Sequence, residues 1–466
     1  MQVSIVNYLS AKTSSNEFRL DSEYFKPSHI KLDHKLRNAN PCSNYIEYLT
    51  DGTHQTPNYK SSGIPFLSSG NVNPCKLNFK KIKYISIEEH DSLRHCQPTN
   101  KDILISKSGR IGHAAVVPLM YKKGDFNIYE GVALLRVKNY SPYALAIMFN
   151  SKILQEQIKR VQKGVAQPHL HLEDIRNLKI PNFTDKFIEI LEQTYKEFDA
   201  ISLSSSSKYG KAQNLLLSEL GLLNWQPKHQ LTFVKNYTDV AQAGRLDSEY
   251  YQPKYDELLK AIKNNSEYVK NISEIQTYNA RGLQPKYLTE GTMNVITSKH
   301  ILDDGLDFDN FEKTNPENWD NQKKARVIQG DILTYTTGAN IGRTAYYPIE
   351  AKALASNHVN ILRIKDENPE YVGFVMNSLI GRLQTEKMSA GSAQAEIYPK
   401  DIDKFTIPFI AKKSQISILN KVSESRDLLK QSKYLLEYAK RAVEIAIEED
   451  EKTAVAWLVE HTKGLG

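Results

Sequence analysis

Cysteine is scarce in this chain: Cys42, Cys75 and Cys96 are the only three in 466 residues, and no two form a C-x-x-C pair. That excludes a disulfide framework, offers no zinc-ribbon spacing, and sets a reducing, cytoplasmic environment as the expectation. Long apolar runs are also missing. None approaches the ~18 residues that cross a bilayer, and the opening Met1-Gln2-Val3-Ser4 lacks the charged-then-apolar layout of a secretory leader; a soluble protein is expected. Neither charge dominates. Lys+Arg number 61 against 54 Asp+Glu, a net charge of +7, which suits a polyanionic partner but falls far short of a polybasic composition. With 22 Gly, 18 Pro, 40% hydrophobic and 25% charged residues, collagen-like, mucin-like and broadly disordered classes are excluded.

What the chain does have is an internal repeat. Arg19-Leu20-Asp21-Ser22-Glu23-Tyr24 returns as Arg245-Leu246-Asp247-Ser248-Glu249-Tyr250, six consecutive identities. Lys101-Asp102-Ile103-Leu104 with Gly109 and Gly112 then matches Gly330-Asp331-Ile332-Leu333 with Gly338 and Gly342. Gly164, Gln167, Asp174, Ile175 and Pro181 return 227 residues later as Gly391, Gln394, Asp401, Ile402 and Pro408. A period this long indicates duplication of a whole domain rather than a solenoid. It favours two large units over the three domains that length alone suggests at ~150 residues each.

Each copy has one coarse pattern. A short amphipathic helix (Ile30, Leu32, Leu36; Tyr255, Leu258, Leu259, Ile262) precedes brief strands at 102–106, 114–117 and 132–137, matched by 331–335, 344–347 and 359–364. Ser141-Pro142-Tyr143 and Asn368-Pro369-Glu370-Tyr371 read as helix starts, a polar cap followed by proline. Each copy closes on a long helical segment with near-heptad apolar spacing: Phe187, Leu191, Thr194, Phe198, Ile201, then Leu428, Leu435, Tyr438, Ala442, Ile445. Ser204-Ser205-Ser206-Ser207 and Gly210 are poor helix formers, so a kink is expected there. The tail after Glu448, with Ala454, Val455, Trp457 and Leu458, is expected to extend or cap the second helix.

Catalytic signatures are absent: there is no G-x-x-x-x-G-K-[ST], no G-x-G-x-x-G after a strand and no H-E-x-x-H. Asn368-Pro369-Glu370-Tyr371 resembles the N-P-P-Y loop of adenine-N6 DNA methyltransferases, but Glu370 replaces the second proline and no F-x-G-x-G loop accompanies it. His169 and His171 could be paired metal ligands, yet Glu396 and Tyr398 stand at the matching offset, so exposed polar residues are the simpler reading.

The glycine loops after the first of these strands in each copy carry short donors and cations: Ser106, Lys107, Ser108 and Arg110 in one, Thr334, Tyr335, Thr336, Thr337, Asn340 and Arg343 in the other. Glycine lets backbone approach a phosphate, and these side chains reach phosphate oxygens and base edges; the plainer alternative is a solvated hairpin turn. Flanking scaffold residues match between copies while loop residues differ, the pattern expected if one scaffold reads two sequences. Thr53-His54-Gln55 and Ser68-Ser69-Gly70-Asn71 are further candidates, facing Arg281-Gly282 and Thr297-Ser298-Lys299-His300 in the second copy. The Arg-Leu-Asp-Ser-Glu-Tyr element reads as a clip holding the chain onto a neighbouring helix.

Taken in order, the doubled R-L-D-S-E-Y-[FY]-x-P, D-I-L with G-x(2,3)-G, G-x-x-Q and Ile-Pro ending, with two long helices, resemble the specificity subunit of Type I restriction-modification systems over essentially the whole chain. The resemblance implies an α+β fold with target-recognition domains at 1–182 and 227–410, and two long antiparallel coiled-coil helices in the spacer regions 183–226 and 411–466. It implies that each domain reads half of a bipartite site on double-stranded DNA, with Gln167, Gln394 and His169 added to the DNA-facing set. Two modification subunits, which would carry S-adenosylmethionine, would dock on the helices and restriction subunits would join them. The chain itself would bind no metal or cofactor and catalyse nothing. A specificity partner of a related Type IIB or IIG system, or a coiled-coil adaptor without DNA specificity, remain the alternatives.

Overall fold

Apolar runs bounded by polar turns become short strands, and in both copies the central ones are buried on both faces, as near-continuous apolar sequence requires. The computed structural model describes residues 21–80, 82–162, 168–389 and 395–464. Two units partition the chain, Met1–Leu203 with Leu428–Gly466, and Ser204–Asp427. Arg19, Leu20, Gly164, Gln167, Gly391 and Gln394 lie outside the described residues.

The first unit opens with α1 (Pro27–Lys35), then β1 (Ile46–Asp51), β2 (Ile64–Leu67), β3 (Ile103–Ser106), β4 (Ala114–Val116), β5 (Asn127–Ile128), β6 (Val132–Val137), α2 (Pro142–Asn150) and α3 (Lys152–Val161). A four-stranded antiparallel sheet has the order β1-β6-β3-β4. Its residues alternate between two cores: Ile103, Ile105, Ala133 and Leu135 face the helices, whereas Leu104, Val132 and Leu134 face a small sheet in which β2 pairs in parallel with β5.

After α4 (Asp185–Glu219), the second unit repeats this plan with α5 (Pro253–Asn265), β7 (Gln276–Arg281), β8 (Met293–Ile296), β9 (Ile332–Tyr335), β10 (Thr344–Tyr346), β11 (Ala353–Ala355), β12 (Val359–Ile364), α6 (Pro369–Asn377) and α7 (Leu379–Ser389). The sheet order is β7-β12-β9-β10, and β8 pairs in parallel with β11. The strands expected from sequence fall within a residue of those observed. Ser141 and Asn368 cap α2 and α6 through the amides of Ala144, Glu370 and Tyr371, so the Asn368-Pro369-Glu370-Tyr371 segment is a helix start.

The duplicated Asp-Ile-Leu begins with a buried carboxylate. Asp102 accepts the Thr99 amide at 2.8 Å and both ends of the Arg136 guanidinium at 2.8 Å. Asp331 does the same with Ile328 at 2.8 Å and Arg363 at 2.7 and 3.0 Å. Asn150 and Asn377, the last residues of α2 and α6, accept the amides of Ala114 and Thr344 and so bind helix to sheet edge. The clip reading of the repeated hexapeptide also holds. Arg160 donates to the Tyr24 carbonyl at 2.9 Å and covers its ring, while Arg245 pairs with Asp247 and donates to the Met388 carbonyl at 2.8 Å.

The long helices are α4 and α8 (Lys412–Glu448), of 35 and 37 residues, each more than 50 Å at ~1.5 Å per residue. In the second unit the pairs Ser205–Ser425, Lys208–Glu424 and Glu219–Ser414 run in opposite directions along the two helices, so the packing there is antiparallel. In the first unit, Phe187, Leu191 and Phe198 share a core with Leu435, Ala442 and Ile445.

Helical hydrogen bonding passes without interruption through Ser204 to Ser207: α4 is one helix there, with Ser205 buried and the Ser205 and Ser425 hydroxyls each donating to the other's carbonyl at 2.8 Å. Tertiary hydrogen bonds override the small loss of helix propensity. The tail neither extends α8 nor merely caps it. It forms α9 (Glu451–Thr462), started by Asp450 on the Thr453 amide, and buries Ala454 and Leu458 in the first unit's core.

Asp102→Ala should destabilise the first unit by about 2–4 kcal/mol, since it strands the Arg136 guanidinium and a backbone amide; Arg136, about a third exposed, can turn toward water, which favours the low end. Chemical denaturation followed by circular dichroism measures this, and an unshifted midpoint would show the pair to be dispensable. Gly210 lies inside α4, where a Cβ would meet nothing within 4 Å beyond the helix's own backbone, so Gly210→Ala should raise stability by ~0.5–1 kcal/mol in the same assay.

Candidate nucleic-acid interface

In each unit three chain turns meet at one end of the main sheet. In the first, the Gly52 amide donates to Val132 and the Lys107 amide to Gly131, while Thr53 bridges to Tyr129. A Cβ on Gly52 would lie 2.2 Å from the Ile128 carbonyl oxygen, and one on Gly282 would lie 2.0 Å from that of Ala355, so only glycine lets these strands cross so closely.

These turns gather Thr53, His54, Ser69, Lys107 and Ser108. Lys107 is buried and its ammonium pairs with Asp51. His54, well exposed, stands 3.5 Å from Asp51 and 3.2 Å from Glu130. The Ser69 and Ser108 hydroxyls lie 3.3 Å apart. Gln55 is exposed beside Thr53, to whose hydroxyl its amide donates at 3.2 Å. Arg110 is exposed, and among the described residues its guanidinium has no hydrogen-bond or ion-pair partner. His169 is also exposed; Leu170 after it donates to the Lys107 carbonyl at 3.1 Å, which brings that segment to the same place.

The second unit assembles Arg281, Thr336 and Thr337. Arg281 pairs with Glu396, donates to the Ile397 carbonyl and lies over the Tyr398 ring at 4.4 Å. Tyr398 donates to the other Glu396 oxygen at 2.7 Å, and this bond, with that from Arg281, holds the Glu396 carboxyl below the usual carboxylate range. Ile397 donates to the Thr336 carbonyl at 3.0 Å, and His358 meets the Thr337 hydroxyl at 3.2 Å. Tyr335 and Asn340 are half-buried in the same loop.

Other candidates are engaged by their own scaffold. Asn71 and Ser68 form a reciprocal cap, the Asn71 carbonyl accepting the Ser68 amide at 2.9 Å. His300 does the same for Thr297 at 2.9 Å, and it is buried. Ser298 is half-buried in that turn, and Lys299 pairs with Glu312. Arg343 is bound at both ends to Asp303 at 3.0 Å, which also holds Arg382. Sequence reasoning missed the carboxylates Asp51, Glu130 and Glu396, because a site expected to be basic directs attention to cations. Glu396 and Tyr398 stand out in the sequence only as counterparts of His169 and His171; that offset is the signal.

The matching scaffold has a counterpart among known proteins. The family model described as Type I restriction modification DNA specificity domain matches residues 51–182 and 264–438. The chain belongs to this specificity family. Both matched segments contain one of the two sheet-end sites. The specificity subunit of the Type I restriction enzyme EcoBI from Escherichia coli is 24% identical over 166 residues, which is 34% of each protein, so the chain spans about a third of that curated relative's length in the match. The Type I restriction-modification S subunit from M. genitalium, solved by crystallography, is 12% identical and aligns over 90% of this chain and 96% of its own, with a TM-score of 0.39. The HsdS subunit from Thermoanaerobacter tengcongensis is 15% identical over 92% and 96%, with a TM-score of 0.27. No helix among the described residues is long and apolar enough to cross a membrane.

The matched caps of the two specificity repeats differ in one titratable group, His300 in the second where Asn71 stands in the first. Burial, and then the neighbouring Lys299, hold His300 below its ordinary pKa, and its Nδ1 must stay unprotonated to accept the Thr297 amide. In the unfolded chain it titrates at about 6.5. Below that pH the unfolded state therefore binds more protons and the second unit loses stability. His300→Asn, which installs the residue the first copy uses, should flatten this loss between pH 7 and 5, at a cost of about 1–2 kcal/mol at pH 7 for the lost ring packing. Denaturation midpoints across that range test it; an undiminished slope would place the acid sensitivity elsewhere.

Proposed function

We propose that the chain is the DNA-recognition subunit of a Type I restriction-modification assembly, each unit reading one half of a bipartite duplex target. The observation that carries this is one scaffold built twice, with different side chains at the same sheet end: Asp51, His54 and Lys107 in one copy, Arg281, Thr336, Thr337 and Glu396 in the other. Different chemistry on equivalent turns is what reading two different half-sites requires. Two modification subunits binding S-adenosylmethionine dock along α4 and α8 in this reading, and restriction subunits join them. The present chain supplies specificity and no catalysis, so the purified chain incubated with labelled S-adenosylmethionine and DNA should transfer no methyl group.

The recognition domains are exchangeable cassettes in this reading. Asn40 pairs with Ile180 and Tyr268 with Phe409 across short antiparallel ladders, so each domain's ends lie side by side. Replacing residues 40–180 with those of another family member should change one half of the methylated sequence and leave the other as it was. Methylome sequencing of cells carrying the chimaera decides this, and a change in both halves would refute independent reading.

A further inference from the structure

The sheet end of the second unit holds more polar atoms than the protein uses. Among the described residues, Thr336 Oγ1, Ser356 Oγ, Asn360 Oδ1 and Arg281 Nε are shielded from solvent and have no hydrogen-bond partner; Thr336 and Asn360 are fully buried. They are neighbours in the fold. Arg281 and Asn360 face each other across β7 and β12, the Thr336 amide donates to His358, and the Ser356 carbonyl lies against Gly282. Buried unpaired polar groups are costly and mark places built for something besides folding.

At the rim of this cluster stand Arg281 and Glu396, about one-fifth and one-third exposed. Arg281 uses one N–H on Glu396 and one on the Ile397 carbonyl, which leaves part of a guanidinium's five donors unspent. Glu396 receives one bond on each oxygen, from Arg281 and from Tyr398, and each oxygen retains a lone pair. The matched positions of the first unit carry other charges. Asp51 stands where Arg281 does, each preceding the glycine at the strand crossing. His169 stands where Glu396 does, each preceding the residue that bonds the carbonyl of Lys107 or Thr336. The first unit nevertheless has a cation–carboxylate pair at this end, Lys107 with Asp51, in which the position of Arg281 carries the carboxylate and the cation comes from the turn after β3. A pair needed only for folding would have no reason to be rebuilt with its charges relocated.

We infer that Arg281 and Glu396 together read one G·C base pair in the half-site of the second unit, Arg281 donating to guanine O6 and N7 and Glu396 accepting from the amino group of the paired cytosine. The inference rests on the proposed DNA-reading role and adds to it the residues and the base pair. A carboxylate is a poor neighbour for phosphate, so its place at the rim favours a base edge over the backbone.

The test is selection of bound sequences by the full chain from a random-sequence duplex library at fixed salt. The wild type should yield a two-part consensus. Arg281→Ala and Glu396→Gln should each relax the same single G·C pair, in one half only, by about 5- to 150-fold, the discrimination one bidentate base contact carries. Because either variant could fail to fold, the exchange Arg281→Glu with Glu396→Arg keeps the ion pair. It should unfold cooperatively, below the wild type only by the loss of the Arg281–Ile397 carbonyl and Tyr398–Glu396 bonds, yet lose the G·C preference at that position. An unchanged consensus from the exchange variant, relaxation at two different base pairs, or a loss of affinity uniform across all sequences would overturn the inference. A wild type that selects no consensus would instead overturn the DNA-reading role itself, and this inference with it.

Discussion

The pairing of a buried aspartate with an arginine directly across the sheet is the constraint from which the rest of each unit follows. Asp102 opposes Arg136 one step beyond Ile103 and Leu135, and Asp331 opposes Arg363 one step beyond Ile332 and Leu362. A slip of one residue would part both partners and turn every strand residue to the other face, exchanging the helix-facing and sheet-facing cores. A buried charge without its partner is far costlier than the pair, so the register is held firmly. Once it is held, the far ends of the strands must meet, and the turns carrying Thr53, Lys107 and Gly131, or Gly282, Thr336 and His358, converge without further instruction.

Rigidity at one end of the sheet is what allows variety at the other. The scaffold residues do the same work in both copies: glycine at the strand crossing, asparagine at the end of α2 and α6, proline at the first turn of the same helices. Side chains at the converging turns do not. Their carboxylates, cations and hydroxyls differ in kind and in which strand contributes them, so recognition can diverge without altering the core that supports it. Among the described residues no group of three or more His, Cys, Asp or Glu is arranged to hold a metal, and the three cysteines are buried, with Cys96 pushed up to about 11 by desolvation. They pack the interior.

The helices show how far local propensity can be overruled. Four consecutive serines and a glycine are weak helix formers, yet α4 passes through them, with Ser205 buried and its hydroxyl and that of Ser425 exchanging hydrogen bonds with each other's carbonyls.

By itself the sequence determined the duplication, three strands of each main sheet, the capped helix starts and the family, because these depend on local periodicity, capping chemistry and the order of repeated motifs, all of which are written along the chain. It also placed the turns that form the sheet-end sites. What only the tertiary structure decided was the chemistry within those turns. Lys107 and Arg343 read as free cations in sequence, yet each is held by a carboxylate far from it in the chain, Asp51 and Asp303. Asn71 and His300 read as polar loop residues, yet each caps its own turn. Glu396 gained its meaning only when β7 brought Arg281 to it from 115 residues away. Whether a polar side chain is spent on the fold or left for a partner depends on what the folded chain sets beside it, and no local pattern records that.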